Sequence, residues 1–151
     1  MRSFMLDVRD AVLNHLKNNL NAELQAIDSR YLVWPKNQIR NFSSFVESKN
    51  IPELVVLMSG SNAGEQFQAS IEDISETYPI SIEITLKEAN QETLQKILFS
   101  YEEAIKKILH GINLPGLTFI YFQNYQIGTF IDERRGGSFD GAVLNFSIRI
   151  N

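Results

Sequence analysis

The stretch Ile80-Ser81-Ile82-Glu83-Ile84-Thr85-Leu86 alternates apolar and polar residues without a break. A strand has a side-chain period of two, so Ile80, Ile82, Ile84 and Leu86 share one face and Ser81, Glu83 and Thr85 the other. After the polar segment Lys87-Glu88-Ala89-Asn90 the period changes. Leu94, Ile97, Leu98, Tyr101, Ile105, Ile108 and Leu109 recur at helical spacing and form one stripe. A helix with a single apolar stripe does not stand alone in water, and the isoleucine face beside it is the surface it needs. Asn90 is placed to cap this helix, with Glu92 in its first turn. Lys106 and Lys107 sit near the far end, where cations are favoured. Gly111 follows His110 as a C′ glycine, and Pro115 bars continuation.

Working outward, Ser3 to about Leu20 reads as an amphipathic helix, with Ser3 as N-cap. Met5, Val8, Val12, Leu16 and Leu20 lie on one side and Leu13 alongside. Glu23 to Asp28 continues the helix or turns into a short strand. Tyr31-Leu32-Val33-Trp34-Pro35 reads as extended and is stopped by the proline; Pro35 to Gln38 is a loop. Phe42, Phe45 and Val46 suggest a short helix ending near Lys49-Asn50. Leu54-Val55-Val56-Leu57-Met58 is a continuous apolar run bounded by Pro52 and Gly60, the pattern of a strand buried on both faces. Ser59 to Gly64 is a turn or loop without the lysine of a phosphate-binding loop. Phe67 to Tyr78 reads as a strand forming a hairpin with Ile80–Leu86, with a short helix at Ile71–Thr77 as the alternative, and Pro79 suits the first residue of a strand. Leu117 to Phe122 has high β-propensity. The alternation of Ala142, Leu144, Phe146, Ile148 and Ile150 makes a closing strand tied into the sheet.

The expected fold class is therefore α+β: a single domain with a mixed, mostly antiparallel sheet of about four to six strands and two main helices packed on it. A length of 151 residues suits one core, and 44% hydrophobic residues argues against disorder. The net charge of -4 disfavours a dedicated nucleic-acid binder. The absence of cysteine excludes disulfides and thiolate metal sites. No apolar run reaches the ~20 residues of a membrane span, and Asp7, Arg9 and Asp10 interrupt the N-terminus before a signal-peptide core forms.

Little in the chain points to a reaction. The two histidines, His15 and His110, fall on separate helices without metal-ligand spacing. Glu102 and Glu103 are neighbours on a helix and point in different directions, as solvated residues do. No convergent acid, base and nucleophile can be named, so the expectation is no enzyme, no catalytic residue, no metal and no cofactor. The densest charge cluster is Asp132-Glu133-Arg134-Arg135, followed by Gly136-Gly137. It reads as a loop that binds an anion or pairs with a neighbouring subunit, or else remains solvated.

The order of elements resembles a known family. Pro79-Ile80-Ser81-Ile82-Glu83-Ile84 precedes a helix carrying Tyr101-Glu102-Glu103-Ala104-Ile105. Then come Gly136-Gly137 and Ala142-Val143-Leu144-Asn145-Phe146-Ser147-Ile148. This pattern resembles the tail terminator (tail completion, head–tail joining) proteins of long-tailed bacteriophages and prophages, over nearly the whole chain. The segment from Pro35 to Asn50 departs from the leaner members. The resemblance implies a structural virion protein that assembles with itself as a ring, often a hexamer. Such a ring caps the tail tube, stops its polymerisation and faces the head connector proteins. It implies residence in the virion tail, assembly in the host bacterial cytoplasm, no membrane partner, and DNA only as passing cargo. An acidic lumen would let that DNA slide, where a basic one would hold its phosphates. Within this reading Asp132, Glu133, Arg134, Arg135, Gly136 and Gly137 form the subunit or tube interface. The rival reading is a small-molecule-binding or regulatory α+β module whose pocket is lined by the aromatics around Trp34.

Overall fold

The computed structural model describes residues 4–45, 50–58, 76–111, 119–121 and 140–150. Among the described residues, three helices and five strands follow in the order α1 (Phe4–Ala26), α2 (Asp28–Tyr31), β1 (Asn41–Ser43), β2 (Glu53–Met58), β3 (Glu76–Leu86), α3 (Gln91–Leu109), β4 (Phe119–Tyr121) and β5 (Asp140–Ile150). The α+β class is as expected. No helix among the described residues is long and apolar enough to cross a membrane.

The alternating stretch is the centre of the sheet, whose order is β1-β2-β3-β5-β4. β3 pairs antiparallel with β2 on one side, from Glu53↔Thr85 to Met58↔Ile80. On its other side it pairs antiparallel with β5 along its whole length, from Glu76↔Ile150 to Leu86↔Asp140. β4 adds antiparallel to β5, and β1 adds parallel to β2. The sheet is therefore mixed and mostly antiparallel. β3 begins earlier than its alternation suggests, so Pro79 lies inside it rather than at its first residue. β2 ends at Met58 opposite Ile80, so at Pro79 the ladder continues only toward β5 among the described residues. A proline, which has no N–H to donate, is tolerated at such a position.

The register decides the core. Ile80, Ile82, Ile84 and Leu86 of β3 are all at most 2% exposed and join Leu54 and Val56 of β2. α1 lies against β2 and α3. It buries Val8, Val12, Leu16, Leu20 and Leu24, one residue in every four. Such an i±4n row runs obliquely along a helix, and it is the ridge that packs most often into a neighbouring helix. α3 contributes Leu94, Ile97, Leu98, Tyr101, Ala104, Ile105, Ile108 and Leu109, all buried. Its Asn90 side chain accepts from Thr93 N at 3.0 Å, as its position predicts. Gly111 has φ +69, the left-handed conformation of a C′ glycine.

Of the two readings of Glu23 to Asp28, the helix holds: α1 runs to Ala26, because Leu24 continues the buried row. Two expectations are corrected. Tyr31 ends the helical turn α2 instead of starting an extended run. Asp28 is the reason. Its Oδ1 accepts from Val33 N at 2.9 Å and Trp34 N at 2.8 Å, and its carbonyl accepts from Leu32 N, so Leu32 takes a left-handed φ of 57. Phe42 lies in β1, not in a helix, because residues 41–43 add to the edge of β2, where Phe42 reaches the core. Ser3, the loop 59–64 and the segment 67–75 lie outside the described residues.

Candidate functional site

The charged side of α3 and the short helix α2 enclose a surface groove of about 690 Å³ lined by Tyr31, Phe99, Glu102, Glu103, Lys106, Lys107 and His110. Helical spacing puts 99, 102, 103, 106 and 110 on the face opposite the buried stripe. Three ion pairs form there. Arg30 Nη1 lies 2.6 Å from Glu103 Oε1 and clips α2 to α3. Lys107 Nζ lies 2.8 Å from Glu23 Oε1 and clips α1 to α3. Lys106 Nζ lies 2.7 Å from Glu102 Oε1 one turn away. Glu102 and Glu103 are thus paired and partly shielded, with side chains 23% and 32% exposed, which corrects their reading as solvated residues. Burial, and then the Glu103 carboxylate beside it, pushes the Tyr31 phenol above its ordinary range, while Arg30 opposes the shift.

Phe99 is the exception on this face, an aromatic ring 52% exposed among ions. Leu32, next to Tyr31 in sequence, is 78% exposed. Phe99 was legible in advance, since it falls off the apolar stripe of α3. The cross-helix ion pairs were not, because Arg30 and Glu103, or Glu23 and Lys107, have no spacing that relates them.

On the opposite face of the sheet, part of β1, β2 and β3 is also buried. Glu53 is 0% exposed and receives a 2.9 Å hydrogen bond from Asn41 Nδ2, its cross-strand neighbour. Ser43, Val55 and Thr85 are buried on that same face. β2 is therefore covered on both sides, as its continuous apolar run predicts. The sheet ends in two three-residue strands, β1 and β4, among the described residues.

The six residues Asp132, Glu133, Arg134, Arg135, Gly136 and Gly137 lie outside the described residues. Of the aromatics around Trp34, the side chains of Tyr31, Trp34 and Phe42 pack against the core, and only Phe45 is largely exposed. Trp34 does not line the groove. His15 and His110 stay apart on α1 and at the end of α3. Among the described residues no three His, Asp or Glu side chains are grouped as metal ligands.

No protein-family model matches this chain. None of the curated proteins matches it either. Among solved structures, the chain is similar in fold to a chain of the virion of a native gene transfer agent (GTA) particle. The TM-score is 0.57 and the identity 15%, with 98% of each chain covered.

Proposed function

We propose that this chain is a structural protein of a phage-like virion and, within that class, a tail terminator. One observation carries the reading: the fold likeness to a chain of a gene transfer agent virion, which spans 98% of both chains. The likeness supports the wider class. The order of elements, from the isoleucine strand through α3 to the closing strand β5, supports the narrower one.

In this reading the 151 residues form a single domain that binds copies of itself head to tail in a closed ring. Head-to-tail contacts join two different surfaces, and they close when the rotation between copies divides a full turn. The ring ends the tail tube and offers its other side to the head connector proteins. It works by shape and breaks no bond, needs no cofactor, and lets DNA pass as cargo. The segment Asp132–Gly137 supplies a subunit or tube contact, with Arg134 and Arg135 pairing to acids across it.

Light scattering over a hundredfold range of protein concentration tests the reading. A mass that rises to a fixed multiple of the 17.3 kDa chain supports it. A mass that stays at one chain throughout, or climbs without a plateau, contradicts it.

A further inference from the structure

We draw no further inference here: the strongest candidate, the surface groove between α2 and α3 beside the exposed ring of Phe99, carries nothing because nothing in the structure shows what covers it.

Discussion

The side chain of Asn21 pairs with both backbone groups of Ile39. Its Oδ1 accepts from Ile39 N at 2.8 Å and its Nδ2 donates to Ile39 O at 3.0 Å. An amide on α1 thus does what a neighbouring strand would do, and it holds the chain just before β1 against the helix. Ile39 is 3% exposed, so without Asn21 two backbone groups would be buried unpaired. Asn21→Ala should lower stability by about 1–3 kcal/mol. Urea unfolding should show a lower midpoint with an unchanged slope. Asn19→Ala is the control. Asn19 is exposed, with its Nδ2 at 2.8 Å from the His15 carbonyl and 3.5 Å from His15 Nδ1 on the same helix, so its loss should cost less than ~0.5 kcal/mol.

A second tie joins the turn after Trp34 to α3. Asn37 Nδ2 donates to Ser100 Oγ at 3.1 Å, and Ser100 Oγ donates to the Ile97 carbonyl at 2.6 Å. Both residues are fully buried. Ser100→Ala leaves the Asn37 amide without its acceptor and should cost about 1–3 kcal/mol. A double-mutant cycle with Asn37→Ala should return a coupling of about 0.5–3 kcal/mol. A coupling near zero would show that the two side chains act independently.

The reach of α1 is open to the same treatment. Leu16 and Leu24 are both 0% exposed. Leu16→Ala and Leu24→Ala should each cost about 2–5 kcal/mol, as cavity-forming substitutions do. A mild effect at Leu24 alone would mean that the helix stops contributing to the core near Leu20.

Alkaline pH should weaken the fold through two tyrosines. Burial, with Glu103 second, raises the Tyr31 phenol, and burial alone raises Tyr101 far more. Both pKa values are therefore higher folded than unfolded, where the phenol titrates near 10. Their stabilisation is intact below pH ~10 and is lost as pH climbs toward the folded values. Tyr101→Phe should reduce that alkaline loss. It should also leave neutral-pH stability equal or higher, because the buried Tyr101 hydroxyl has no hydrogen-bond partner among the described residues. Urea midpoints at pH 7 and pH 11 read both effects.

The sequence carried the centre of this fold and missed its connections. Side-chain period is a local property, so the alternation of Ile80 to Leu86 and the stripe of α3 could be read directly. The caps at Asn90 and Gly111 were equally local. The stretch at Tyr31 and the strand at Phe42 are not legible locally because their shape is set at a distance. Asp28 folds back on Val33 and Trp34, Asn21 grips Ile39, and β2 recruits Phe42 into a parallel edge. None of these has a sequence spacing that announces it. The groove was half legible: Phe99 lies off its helical stripe, whereas Arg30 and Glu103 meet only in the fold. The segment Asp132–Gly137 lies outside the described residues and keeps the standing its sequence gives it.

That segment yields its own prediction. Arg134→Glu/Arg135→Glu should weaken assembly at least tenfold while the thermal midpoint stays unchanged. Undiminished assembly would remove these arginines from the contact.

Electron microscopy of the purified chain at assembling concentration addresses the central claim most directly. Closed, planar rings of a fixed number of copies around an open axial hole are the predicted result. Particles of one copy, or compact dimers with no hole, would contradict the account.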